Sequence, residues 1–196
     1  YIPVDEDVLH HLDEQEVSNI PHYGYGFKSY TLSMIEAVIN LTEGKIDTAD
    51  ITTMLEIAQQ KMDAETQLFI GVEETLMQLL GQAEMMLVTK GDSHEQRRKI
   101  ERSGLKRYFR WIEIVSRKDE GIYKEILDKY GIPAERFMMI GNSLRSDVFP
   151  IAAIGGRGVY ISNNTNWAHE NKLKEEWKGL EYETLDSFLD LIPYLY

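Results

Sequence analysis

Cysteine is absent from the 196 residues, which excludes disulfides, thiolate metal sites and cysteine nucleophiles and leaves the chemistry to oxygen and nitrogen groups. Long apolar runs are missing too. The longest, such as Met85-Met86-Leu87-Val88, are strand-sized and far short of the roughly 20 residues needed to cross a bilayer. No basic segment leads into an apolar stretch in the manner of a secretion signal. Positive charge is scarce: 21 lysines and arginines face 33 acidic residues, for a formal net charge of −12. Such a chain repels phosphate backbones, which argues against nucleic acid or anionic membrane and for small partners. A small anionic ligand would then need a local lysine and a divalent cation to reverse the potential at its site. The expected location is the cytoplasm, and the expected assembly is a monomer or homodimer.

Hydrophobic residues make up 43% and charged residues 28% of the sequence, the mixture of an ordinary globule. The length suits one domain, or one domain with a modest insertion. Residues 1–20 are acidic and weakly patterned, and Pro21-His22-Tyr23-Gly24-Tyr25-Gly26 reads as a glycine-broken loop. From Tyr30 to Leu41, Leu32, Ile35, Val38 and Ile39 recur at helical spacing. A second helix over Thr48 to Met62 aligns Ile51, Leu55, Ala58 and Met62, with Asp47 as its cap. From Gly71 a short helix leads to a strand over Met85–Val88, and Ser93-His94-Glu95-Gln96 has the form of a capping box that opens the next helix. Further strands are predicted over Trp111 to Val115, Phe137 to Ile140 and Gly158 to Ile161, with helices over Ile122 to Tyr130 and Leu185 to Ile192. This alternation predicts an α/β fold, a Rossmann-like parallel sheet with helices on both faces, spanning 69–196, with an all-helical module over 1–68.

Ligands in such sheets sit beyond the carboxyl ends of the strands, and several polar residues fall there. Asp147, in Gly141-Asn142-Ser143-Leu144-Arg145-Ser146-Asp147, suits a hard cation such as Mg²⁺, and Asn142 offers it a neutral oxygen. Read alone, the same residues better fit a capped turn in which Ser146 and Asp147 satisfy helix amides. Thr89 ends a strand beside the amides of Lys90 and Gly91, which suits phosphoryl oxygens, although strand-ending threonines are common. Lys118 offers a positive charge or is an ordinary surface lysine. Tyr25 either faces a substrate or closes a domain interface.

The order of these signals, a threonine after one strand, a lysine after the next and a glycine-led acidic loop after the third, resembles the last three motifs of haloacid dehalogenase-type hydrolases. The stretch from Asn19 to Glu36, with Thr89-Lys90-Gly91-Asp92 and Gly141 to Asp147, resembles bacterial phosphatase-like members with a helical cap. The resemblance implies a Mg²⁺-dependent phosphatase acting on a small phosphorylated metabolite through an aspartyl phosphate. It assigns phosphoryl binding to Thr89, steadying of the nucleophile and phosphoryl group to Lys118, and the metal to Asp147, while Lys90, Gly91 and Asn142 are candidates from their position alone.

Two departures stand out. Asn142 replaces an aspartate common in the family, and the family's first motif, an Asp-x-Asp pair after an apolar strand, is not found. Asp5-Glu6-Asp7 imitates it, but Pro3 interrupts the would-be strand before it. The family places that strand in mid-sheet, between the strands ending here at Val88 and Ile140. The expectation is therefore that the natural chain extends N-terminally and carries the nucleophilic aspartate there. The alternatives are a binding or regulatory protein that kept the fold without the chemistry, a 2-haloacid dehalogenase, or a receiver-like nucleotide-binding domain. The last lacks a G-x-G-x-x-G after any strand.

Overall fold

The computed structural model describes residues 6–162 and 175–195, so Asp5 of the rejected acidic triplet lies outside it. In chain order the helices and strands begin with α1 (Glu6–Tyr23), α2 (Phe27–Leu41), α3 (Thr48–Asp63), α4 (Val72–Leu79), β1 (Met86–Lys90) and α5 (Ser93–Ser103). Next come β2 (Trp111–Val115), α6 (Glu120–Tyr130), β3 (Met138–Gly141), α7 (Phe149–Ala153), β4 (Arg157–Ile161), β5 (Glu183–Leu185) and α8 (Leu191–Leu195). The chain divides into two compact units. One comprises Tyr1–Thr66 with Lys90–Arg102, the other Gln67–Thr89 with Ser103–Tyr196. No helix among the described residues is long and apolar enough to cross a membrane.

The second unit is the α/β layer that the alternating pattern predicts. Strand β4 lies between β3 and β5, parallel to both, with Ile140 beside Val159 and Val159 beside Glu183. Strand β1 pairs with β2. Val88 of β1, Met139 of β3, Tyr123 and Ile126 of α6 and Ile151 of α7 form one apolar cluster, in which Tyr123 and Ile151 are wholly buried. Removing each such side chain from water contributes about 1.5–3 kcal/mol, which is the main force holding the layer together. Thus β1 and β3 share a core, yet among the described residues β1 pairs only with β2 and β3 only with β4.

Chain punctuation fixes the ends of α6. Asp119 accepts the Ile122 amide at 3.0 Å at its start, and Gly131, at φ 64°, ends it in the left-handed conformation that glycine adopts without steric cost. The helix expected over Leu185 to Ile192 is corrected. Glu183–Leu185 adds a fifth strand, and Ser187 and Asp190 cap a tight turn before α8. Ser187 Oγ donates to Asp190 Oδ2 at 2.8 Å, so a polar clasp restarts the chain where apolar spacing alone suggested one continuous helix.

The first unit is helical, with a polar seam. Helix α1 continues through Pro21 to Tyr23, so the expected loop shrinks to Gly24–Gly26, where Gly24 closes the helix by donating to the Ile20 carbonyl at 2.9 Å. Proline at position 21 sits in the last turn, where the break it causes is already due. The α1 periodicity was illegible because its buried face is polar. Asn19 Nδ2 donates to Ser33 Oγ at 2.9 Å and to Glu36 Oε2 at 2.7 Å, and Gln15 Nε2 donates to Glu36 Oε2 at 2.8 Å. Helix α2 accordingly buries Ser29, Thr31, Ser33 and Ala37, while Leu32 and Ile39 of the expected apolar stripe are exposed. Asp47 caps α3 as expected, accepting the Ala49 amide at 2.9 Å. The capping box expected at Ser93 is corrected: Asp92 accepts the Glu95 amide at 2.9 Å, and the Glu95 carboxylate is turned to the Phe27 amide instead, at 3.0 Å.

Glu16 is a costly member of this unit's interior. It is buried, its Oε2 has no hydrogen-bond partner, and burial, then the charge of Asp13, push its carboxyl up to about 7 against the opposing pull of Lys90. A raised carboxyl pKa means that the native state holds its proton more tightly than the unfolded chain does. Its stabilising contribution is complete below the ordinary value near 4.5 and is lost as pH rises through about 7. Thermal unfolding followed from pH 4.5 to 8 should therefore show the Glu16→Gln variant gaining stability relative to the parent as pH rises, with the difference levelling off above about 7. A pH-independent difference would refute the assignment.

Candidate active site

The site assembles where the segments after β2 and β3 meet. Strand β2 ends at Val115, and the Asp119 cap fixes the start of α6, so Lys118 is held on a short span between two anchored points. Its Nζ lies 2.6 Å from Asp147 Oδ1, and the two side chains retain only 12% and 6% of their exposure. An ammonium and a carboxylate at this distance form a charge-assisted hydrogen bond in a site that water barely reaches. Taking both charges out of water costs about what their attraction returns, so the pair positions more than it stabilises.

Asp147 is held from several sides. Strand β3 ends at Gly141, where a Cβ would fall 2.3 Å from Asp147 Oδ2, so a glycine is the only residue that leaves room for the carboxylate. The Ser143 amide donates to Asp147 Oδ2 at 3.1 Å, and the Asp147 amide donates to the Ser143 carbonyl at 2.9 Å. Residues Leu144–Val148 form a single widened π-helical turn, capped by Ser143 Oγ accepting the Ser146 amide at 2.9 Å. Such turns are rare and concentrate at functional sites. The next residue, Val148, is wholly buried against Gly158 of β4, whose missing Cβ would come within 2.7 Å of Val148 Cγ1. A capped turn, one of the two possibilities the sequence left open, is therefore present, but Asp147 does not commit its carboxylate to it alone.

A carboxylate offers about four lone-pair sites, and the Lys118 and Ser143 contacts engage only two. Asp147 thus retains hard-oxygen capacity. No group of three or more His, Asp or Glu side chains gathers to hold a metal among the described residues. One carboxylate with room for waters and substrate oxygens fits Mg²⁺, and a four-ligand zinc set does not form.

The remaining expected residues divide between the two units. Thr89 is half-buried, one residue beyond the core-anchored Val88 on β1, the strand that pairs with β2. Asn142 is exposed between Gly141 and Ser143. Lys90, Gly91 and Tyr25 belong to the helical unit, where Lys90 Nζ sits 4.0 Å from the centroid of the Tyr25 ring and Gly91 adopts φ 146°. Sequence reasoning missed Tyr123. Its hydroxyl donates to the Ser146 carbonyl at 3.1 Å, and burial, with the Asp147 charge second, pushes the phenol pKa up, so it stays a neutral donor. The available signal was a tyrosine amid the apolar residues of α6, because a buried phenol must find a partner.

The family model for haloacid dehalogenase-like hydrolases matches residues 8–149. A haloacid dehalogenase-like family hydrolase from Xanthomonas campestris is 37% identical, with a TM-score of 0.82 over 96% of this chain and 77% of that one. The chain belongs to the haloacid dehalogenase-like hydrolases. Two more distant structures share the fold of this hydrolase. A HAD-hydrolase from Bacillus subtilis bound to magnesium is 18% identical, with a TM-score of 0.68 over 99% of this chain and 84% of that one. A predicted phosphoglycolate phosphatase from Haemophilus somnus is 14% identical, with a TM-score of 0.65 over 97% and 92%. No curated protein matches the chain.

Removing one member of the buried pair leaves the other charge unpaired. Lys118→Met is therefore expected to lower the unfolding free energy by about 3–5 kcal/mol in urea titration, and adding Asp147→Asn to recover part of the loss. A single variant as stable as the parent would show that the pair is not buried in solution.

Proposed function

We propose that this haloacid dehalogenase-like hydrolase is a Mg²⁺-dependent phosphatase acting on a small phosphorylated metabolite. The observation that carries the reading is the buried Lys118–Asp147 pair, an ammonium bound to a carboxylate with coordination capacity to spare, at the ends of two strands of the α/β unit. The magnesium-bound hydrolase and the predicted phosphoglycolate phosphatase of the same fold support it as analogy. The acidic character of the chain supports a small partner over a nucleic acid.

In this reading Asp147, with Asn142 close by in sequence, holds Mg²⁺, which supplies charge neutralisation to the phosphoryl oxygens when bound. Lys118 presents its ammonium to the nucleophile and the phosphoryl group, and Thr89 donates its hydroxyl to a phosphoryl oxygen with the amides of Lys90 and Gly91. Tyr25 helps to select the leaving group. The nucleophile is an aspartate on a strand lying between β1 and β3. Support for that position comes from those two strands, which contribute to one apolar cluster while, among the described residues, β1 pairs only with β2 and β3 only with β4. The aspartate forms an oxygen–phosphorus bond as the ester bond breaks and the leaving oxygen takes a proton. Water then cleaves the acyl phosphate, releasing inorganic phosphate and restoring the carboxylate.

A 2-haloacid dehalogenase is the second reading, since the family description itself names that chemistry. Its substrate has no phosphoryl group to bridge to a cation, so the spare capacity of Asp147 would go unused. In the complete protein, Asp147→Ala is expected to lower Mg²⁺-dependent hydrolysis of an aryl phosphate by at least about a thousandfold, as for loss of a principal electrostatic group. Unchanged turnover, or release of halide from a 2-haloacid without phosphate release from any ester, would overturn the proposal.

A further inference from the structure

The short segment Lys118–Tyr123 touches the Asp147 turn twice. Its first residue pairs with the carboxylate, and its last, Tyr123, reaches the peptide just before Asp147 by donating to the Ser146 carbonyl. Between them, Asp119 caps α6 through the Ile122 amide, and the Tyr123 amide donates to the Asp119 carbonyl at 3.0 Å. The segment is thus a rigid bracket with two prongs.

Tyr123 is also the largest wholly buried side chain among the described residues, clamped by Val88, Ile126, Met139 and Ile151. Its hydroxyl can move little. The carbonyl it meets belongs to the π-helical turn that carries Asp147. Ser146 is followed directly by Asp147, whose carboxylate must fit the space that Gly141 leaves.

We propose that Tyr123 is a positioning residue for the Asp147 cation site, transmitting the rigidity of the apolar core to the metal-binding turn through the Ser146 carbonyl. The inference rests on the reading of Asp147 as a Mg²⁺ ligand and deepens it. Tyr123 touches neither substrate nor metal; it holds the Asp147 carboxylate in the orientation that cation binding requires. Groups that orient a metal ligand in this way typically govern metal affinity by ten- to a hundredfold.

The test uses the complete protein, with Mg²⁺ binding measured directly by calorimetry and Mn²⁺ binding by paramagnetic resonance, beside activity across Mg²⁺ concentration. Tyr123→Phe keeps the ring and removes only the hydroxyl. It is expected to weaken Mn²⁺ and Mg²⁺ binding by about tenfold and to raise the Mg²⁺ concentration for half-maximal rate equally, with kcat at saturating Mg²⁺ within about twofold of the parent. Ile126→Val, which loosens the same core and leaves the hydrogen bond intact, should lower thermal stability without changing metal affinity. Parental metal affinity in Tyr123→Phe, or an equal loss in Ile126→Val, would overturn the proposal while leaving the phosphatase reading intact. A parent that binds no divalent cation would overturn both. Should Tyr123→Phe not fold, hydrogen exchange of the parent decides: Mg²⁺ must slow exchange in the first turn of α6 together with Asp147 and Val148. Protection confined to 143–148 would count against the bracket.

Discussion

Everything around the site depends on a carboxylate and an ammonium held together where water scarcely reaches. A buried ion pair of this kind adds little net stability, because desolvation of the two charges offsets their attraction. Its contribution is position. Lys118 and Asp147 are 29 residues apart, and their contact fixes the segment after β2 against the turn after β3. The surrounding structure is built to tolerate the cost: Gly141 and Gly158 give up side chains so that Asp147 and Val148 can occupy the space, and the Ser143 amide satisfies the second carboxylate oxygen.

The strand order and the chemical order were legible, and for the same reason. A strand buried on both faces is written as an apolar run, and the residues just past its end lie by default on the ligand-bearing side of the sheet. Lys118 after Val115 and Asp147 after Gly141 do lie past strand ends, whereas β1 runs on through Thr89 to Lys90, so Thr89 sits within the strand expected to stop at Val88. Helix α1 was not legible because the face it buries carries Asn19 and Glu16, and polar burial leaves no hydrophobic period to count. The stripe of α2 misled for the complementary reason: Leu32 and Ile39 have helical spacing, but the seam with α1 is made by Ser33 and Glu36. Tyr123 escaped because a tyrosine in an apolar stripe reads as packing, and the target of its hydroxyl is a main-chain carbonyl that no side-chain pattern reveals.

The two units carry their polar groups in different ways. In the α/β unit, buried charge is paired and buried hydroxyls have partners: Thr75 Oγ1 donates to the Phe188 carbonyl at 3.1 Å, and Tyr123 donates to Ser146. In the helical unit, Glu16 Oε2 and Ser29 Oγ are buried without partners. Unsatisfied groups of this sort cost stability and persist where the loss is tolerated. Among the described residues, the unit that carries Asp147 is the more fully satisfied of the two, as expected of the one required to hold fixed geometry.

A chain at −12 does not attract a phosphoryl dianion, and at the site Lys118 is already cancelled by Asp147, so the pair alone presents no net charge to an incoming anion. On the proposed reading, a divalent cation on Asp147 raises the local charge by two, which favours a dianion in a poorly screened site. Lys118 then has a second use. It keeps the carboxylate from standing as an unpaired buried charge, and on the proposed reading it would also face the phosphoryl oxygens. On that reading one lysine would serve the site with and without the cation, and anion binding would depend on the metal through the local charge.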